Sequence, residues 1–410
     1  VKEILPPGFF LSNCCSGSTS SASNENALSY EEFGKDATAV ELEMCGNTPD
    51  LDGTFCGQVA DQLHHLAVAE KCQLPCFGLG YAYTVPGANF IWALNKFLGA
   101  GMWFSMLTHR LGLSNAELAK LPDDSELVGE CFGAETEHSE WFQGERAGET
   151  AFLFSRNTRD NYGGYMADYG HDYRAACSWL FEHGYDVDVV LDIPDQSSPY
   201  EVLVLASAAC LSGQEREALK CWLDAGKKVV ACGPLGVFDG MGNRDPLFPE
   251  IRLPSIVRTP RFPHDTWEKT EPARCENEPV WRKLYENLLW HPERMNDGLD
   301  LQMPFSGSAP DGWYLRKYKD AEGRLLIHCL ASNYDVEVDG TLEAKRSHKN
   351  NNNIITRIMP KERTLSFDFA QYGGRIEVFY PLNGRKTTLL AKPVFEVEPE
   401  CFYFIVRISE

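Results

Sequence analysis

Glu41 and Glu43 stand two residues apart in the run Thr38 to Cys45 (TAVELEMC), where Val40, Leu42 and Met44 alternate with them in the period of a β-strand. Two carboxylates at this spacing share one face, where either could do catalytic work. Each could equally be a carboxylate held by arginine or by backbone donors. Tyr81, Tyr83, Trp103 and His109 fall near the ends of two later strand candidates, positions suited to ligand contact and to ordinary packing alike. A third polar group, Ser155, Arg156, Asn157, Arg159 and Asp160, follows the apolar run Thr150 to Ser155. At the carboxyl edge of a parallel sheet it could bind something, although an Arg/Asp network at a subunit or domain interface accounts for it more simply.

The elements that must position these residues repeat most clearly between Thr150 and Gly233. After TAFLFS comes a helical spacing from Tyr165 to His183, with Tyr169, Tyr173, Cys177, Leu180 and Phe181 on one face and Gly184 past its end. Asp186 to Asp192 alternates like a strand, and Val202 to Ala206 (VLVLA) is a buried one. Ser212 is placed to cap a helix over Gln214 to Ala225, Gly226 closes it, and Lys228 to Cys232 is another strand. This order predicts a parallel sheet covered on both faces.

Upstream, strand-helix units recur. Thr54 to Ala69 carries a helical pattern, and Leu74 to Tyr81 (LPCFGLGY) is a strand with two glycines, where another part of the chain must come close or the strand must bulge. Gly87 to Leu98 is a helix and Gly101 to Leu107 a strand. A Glu-rich connecting helix covers Glu126 to Phe142, and prolines crowd the stretch from Pro246 to Pro263 ahead of a helix from about Pro279 to Trp290. From Asp311 the texture changes to short strands (Trp313 to Tyr318, Leu325 to Ser332, Leu365 to Phe369, Arg375 to Tyr380, Cys401 to Ile408) between turn signals, the pattern of a β-sandwich. The run Asn350 to Asn353 reads as an exposed loop tip.

With 410 residues and a hydrophobic fraction of 43%, the chain is long enough for two or three domains with ample cores. A formal net charge of -21 argues against a nucleic-acid backbone or an anionic membrane surface as partner, and no apolar run is long enough to span a bilayer. The 14 cysteines include no CxxC pair; Cys177, Cys221, Cys232, Cys329 and Cys401 sit where a small hydrophobe would, as reduced core thiols in a cytoplasmic setting. No metal cluster, phosphate loop or dinucleotide fingerprint is visible, so no cofactor is expected. No signal peptide opens the chain, and a beginning at Val1 that reads as mid-domain leads us to expect a piece of a longer protein.

The succession of the glycine-interrupted strand, a helix, GMWFSML, a Glu-rich helix, TAFLFSRNTRDNY, LFEHGYDVDVV, YEVLVLASAACLS and CWLDAGKKVVACGP resembles the later part of the β-galactosidases of glycoside hydrolase family 42. The resemblance rests on layout and loose phrases. It implies three parts: the second half of a (β/α)8 barrel (residues 1–115, strands five to eight, with a connecting helical segment over 116–148), a flavodoxin- or amidotransferase-like α/β domain that mediates trimer formation (149–300), and a β-sandwich (301–410). It also implies a glycosidic substrate and homo-oligomeric assembly. Retaining glycosidases need two carboxyl groups about 5 to 5.5 Å apart, one to attack the anomeric carbon and one to protonate the leaving oxygen. The family's acid/base would lie upstream of Val1. Its nucleophile belongs at the end of strand seven; if that strand is Leu74 to Tyr81, no carboxylate is there, whereas a register with Thr38 to Cys45 as strand seven makes Glu43 the candidate and Glu41 its neighbour. Tyr81, Tyr83, Trp103 and His109 would then stand where aromatic platforms for sugars sit. In the amidotransferase-like part, Ser207 to Gly213 (SAACLSG) lacks the glycine-flanked elbow and the His-x-Glu pair that would make Cys210 a nucleophile. The alternative is a carbohydrate-binding or assembly protein that keeps the layout without the nucleophile.

Overall fold

The computed structural model describes residues 29–33, 35, 37–43, 59–82, 85–107, 114, 116, 124–162, 169–232, 234–244, 256–259, 303–304, 307, 309–338, 355–366, 375–389, 394–398 and 401–409. In chain order these form α1 (Tyr30–Phe33), β1 (Val40–Glu43), α2 (Val59–Cys72), β2 (Cys76–Ala82), α3 (Val85–Leu98), β3 (Gly101–Leu107) and α4 (Asp124–Glu137). There follow β4 (Glu145–Arg146), β5 (Thr150–Leu153), α5 (Arg156–Asn161), α6 (Tyr169–Glu182), β6 (Val187–Val190), β7 (Val202–Ala206), β8 (Cys210–Leu211), α7 (Gly213–Asp224), β9 (Lys228–Cys232), β10 (Phe238–Asp239) and β11 (Ile256–Thr259). The rest is strand: β12 (Trp313–Lys319), β13 (Leu325–Ala331), β14 (Tyr334–Val338), β15 (Ile355–Pro360), β16 (Thr364–Ser366), β17 (Arg375–Tyr380), β18 (Arg385–Leu389), β19 (Val394–Glu396) and β20 (Tyr403–Ser409). The expected helix from Pro279 to Trp290 and the Asn350 to Asn353 loop lie outside the described residues. Two compact units emerge, each assembled from separated stretches: Val1–Val40, Val59–Pro75 and Gly148–Gly307 in one, Glu41–Gln58, Cys76–Ala147 and Ser308–Glu410 in the other.

The first unit holds a five-stranded parallel sheet in the order β11-β9-β7-β5-β6. Both faces are covered, so the inner strands β5, β7 and β9 are apolar over nearly their whole length, while the edge strands β6 and β11 carry Asp188 and Arg258. Ala151, Leu153, Leu203, Leu205, Val229 and Ala231 meet Leu219 and Trp222 of α7 in one core layer. On the other face Phe152 and Phe154 pack on Tyr173 of α6, with ring centroids 5.3 and 5.0 Å apart. Helix α2, read from sequence as part of the barrel region, packs here: the His64 ring lies 4.0 Å from Phe154, and the Tyr173 hydroxyl donates to the Ala60 carbonyl at 2.5 Å. Ser212 caps α7 as its position requires, in a full capping box with Glu215. Several elements escape the sequence reading, among them the two-residue strands β8 and β10. Helix α5 has only six residues, all polar, so periodicity gives no sign of it; β11 sits inside the proline-rich stretch.

In the second unit β1, β2 and β3 form one small sheet, with β2 and β3 parallel, and β18-β17-β20-β13-β12-β4 form a larger one whose five pairings are all antiparallel. Among the described residues, two further pairs, β14-β15 and β16-β19, accompany this dominant sheet in the β-rich part. Helix α3 contacts β2 and β3 as well as β13, β15 and α4, which explains its composition. Every residue from Phe90 to Leu98 is buried, and a helix apolar on all sides needs neighbours on all sides. Phe90 meets Tyr334 and Phe402, Trp92 meets Phe142 and Tyr403, and Phe97 meets Tyr314. The one lysine on this buried run, Lys96, reaches Glu135 at 2.6 Å.

Candidate functional site

The glycines of β2 answer the question their spacing raised. A Cβ on Gly80 would stand 2.8 Å from both Ile91 Cγ2 and Met102 Cε, so glycine here lets α3 and β3 close on the strand. Opposite Phe77, its partner in β3 is Gly101, where a Cβ would meet the Phe77 ring at 2.6 Å. The small sheet is thus closely packed against α3 at Gly80 and between β2 and β3 at Gly101. Glu41 on β1 is buried, at 1% exposure, and the side chain of Glu43 lies outside the described part although its backbone belongs to the same strand. Trp103 on β3, paired in register with Leu79, is 49% exposed. A half-exposed indole offers a large apolar face for a ligand to cover. Tyr81 has its backbone in β2 and its side chain outside the described part; Tyr83 and His109 are outside the described residues altogether.

The polar group after β5 resolves into a network inside the first unit. Ser155 caps α5, its Oγ accepting from the Thr158 amide, while the Ser155 amide donates to the Tyr169 hydroxyl at 2.7 Å. Arg159, 1% exposed, donates from Nη1 to Glu31 Oε1 at 3.0 Å and from Nε to Asp160 at 2.8 Å. His64 Nε2 lies 3.1 Å from the same Glu31 oxygen. Burial pushes the Glu31 carboxyl up, but the hydrogen bond and charge of His64 and the charge of Arg159 outweigh it and hold the group well below the usual carboxylate range. Arg156 binds Glu32 at 2.7 Å and Asp160 at 3.3 Å. Glu32, hydrogen-bonded by Lys35 and Arg156, is drawn down to about 2. The sequence showed the cationic half of this network; Glu31 and Glu32, about 125 residues earlier, carry no local sign of it.

Cys210 lies in β8, pairs in register with Phe238 and is fully buried. Burial, then the charges of Asp239 and Glu215, push its thiol up to about 11, the opposite of an activated nucleophile. The sharp turn after β7 falls earlier, at Ser207, whose φ of 49° is in the left-handed region that costs a non-glycine residue. Among the described residues no group of three or more His, Cys, Asp or Glu is placed to hold a metal ion, and no helix is long and apolar enough to cross a membrane.

No family model matches the chain, and no curated protein matches it. Solved structures do. An apo exo-carrageenase GH42 from Bacteroides ovatus is similar with a TM-score of 0.50 at 10% identity, covering 93% of this chain and 49% of that one. The beta-galactosidase from Bacillus circulans sp. alkalophilus gives 0.53 at 10% identity over 93% of this chain and 62% of that one. Gan42B, a GH42 beta-galactosidase, gives 0.51 at 11% identity over 93% and 61%. The chain therefore spans about half to three fifths of the length of the structures it matches. At these identities the likeness is one of fold: mixed α/β with parallel sheets and a large antiparallel sheet, as in the GH42 glycoside hydrolases.

Proposed function

We propose that the chain supplies the later part of a glycoside hydrolase acting on galactoside-type or related oligosaccharides. The observation that carries this reading is the GH42-like fold over 93% of the chain. Glu43 is the first candidate for the nucleophile that attacks the anomeric carbon, and Glu41, buried on the same strand, is the second. The second carboxyl, which protonates the departing oxygen, would follow barrel strand four in the GH42 layout. Tyr81, Tyr83, Trp103 and His109 would flank the sugar, with the Trp103 side chain about half exposed. The parallel α/β unit would serve assembly into a homo-oligomer, a trimer in the GH42 layout.

In the native gene product, hydrolysis of a chromogenic galactoside should fall by about three orders of magnitude on Glu43→Gln, a change that keeps shape and removes the charge. Undiminished hydrolysis would reject the assignment. A second reading, a carbohydrate-binding or assembly protein without a nucleophile, is favoured by β2, whose seven residues include no carboxylate. Covalent labelling of a glutamate by a fluorosugar inactivator, located by peptide mass, separates the two: a labelled Glu43 or Glu41 eliminates the non-catalytic reading.

A further inference from the structure

The order β11-β9-β7-β5-β6 contains one reversal. From β5 the chain crosses to the edge strand β6, then returns to the opposite side of β5 to lay down β7, β9 and β11. Where connections leave neighbouring strands in opposite directions, a crevice opens beyond their carboxyl ends, and open parallel sheets bind ligands there. In this unit the two connections concerned run from β5 into α5 and from β7 through β8 into α7. A cavity of about 240 Å³ lies there, lined by Arg156 and Asn157 of α5, Ser212, Gln214, Glu215 and Ala218 around the start of α7, Leu191, Asp192 and Ile193 after β6, and by Glu31 and Lys71.

Its lining has hydrogen-bonding capacity to spare. Glu215 uses only Oε2, which accepts from the Ser212 amide and from Asn157 Nδ2, both at 2.7 Å. Arg156 is engaged through Nε and Nη1, and Asp192 through Oδ2 with Lys71 at 2.6 Å. The Gln214 amide is exposed and makes no hydrogen bond among the described residues. What remains, an amide, two carboxylate oxygens and a guanidinium nitrogen, is a set of planar donors and acceptors suited to paired hydroxyls. Leu191, Ile193 and Ala218 add an apolar wall. Two cations, Lys71 and Arg156, face three carboxylates, Glu31, Asp192 and Glu215, so a phosphate or carboxylate ligand would find no net positive field. The volume is below the roughly 300 Å³ at which sites for drug-sized ligands begin, which suits a single ring.

We propose that this switch-point cavity is a binding site for a neutral monosaccharide-sized polyol, independent of whether the glutamates of β1 hydrolyse anything. The test is a titration of the whole chain, methyl-labelled at Ile, Leu and Ala, with D-galactose and in parallel with inorganic phosphate, read by NMR. The Ile193, Leu191 and Ala218 methyls should shift saturably with galactose and stay put with phosphate. Gln214→Ala should raise the midpoint about fivefold and Arg156→Ala about tenfold, the loss of a neutral and of a charged hydrogen bond. Circular dichroism melting of each variant confirms that its fold is kept; Gln214→Ala removes no internal bond. Methyls that ignore galactose, that follow phosphate instead, or that respond equally in both variants would overturn the proposal. Because the readout is local and involves no hydrolysis, its failure is distinct from failure of the glycosidase reading.

Discussion

Arg159 exposes almost none of its guanidinium and closes on Glu31, which His64 approaches from another side. An ion pair of this kind is stabilised only as a set: remove the cation and the carboxylate is left buried without its charge partner. Arg159→Met is therefore expected to cost about 3 to 5 kcal/mol, whereas Lys220→Met, which breaks an exposed, solvent-screened i,i+4 pair with Asp224, should cost far less. Urea denaturation of the two variants side by side checks the contrast; equal losses would mean that Glu31 finds water or another donor when Arg159 is gone. The same logic bears on β1. Glu41 is as buried as Arg159, so its role is open to test by substitution in a way that its position in a strand pattern alone could never decide.

Between elements, close approach is set by what is missing from a side chain. Gly80→Val would drive two methyl groups into Ile91 and Met102, which already stand 2.8 Å from the place of a Cβ. The expected penalty is at least about 2 kcal/mol, visible as a lowered Tm of the purified protein. A neutral result would show α3 free to shift outward. Such packing accounts for how far the sequence could be read. β3, β7, β9 and β17 fall where their apolar runs end, and Ser212 and Gly226 bound α7, because local chemistry specifies strands and caps. What escaped was decided at long range. The polar turn α5 is held by Ser155, Tyr169 and Glu31; the two-residue β4 exists only because Arg146 and Glu145 pair with Tyr318 and Lys319, more than 170 residues on. For the candidate site, the strand carrying Glu41 and Glu43 was legible from alternation, while the cavity beyond β5 and β7 depends on strand order, which no local pattern encodes.

Across the whole molecule, each unit buries an imidazole that resists protonation. Burial pushes His328 down to about 3 and, with the neighbouring charge of His64, pushes His65 down to about 4, from an ordinary value near 6.5. Below pH 6.5 the unfolded chain takes up protons at these positions and the folded chain does not. Stability is therefore fully present above that pH and declines as the pH falls toward 4, by up to about 1.4 kcal/mol per pH unit for each histidine. Urea midpoints should drop between pH 7 and pH 5, and His328→Gln should flatten the slope of the second unit's transition; midpoints constant over that interval would count against both imidazoles being kept neutral. Helix α3 has a further consequence, for biosynthesis. Its apolar surface is finished by β13, by β15 and by Phe402 and Tyr403, so a nascent chain carries it uncovered until roughly 300 more residues have been made. At about 5 to 20 residues per second that is an exposure of roughly 15 to 60 seconds, long enough for chaperones to govern how much of the protein a cell recovers in soluble form.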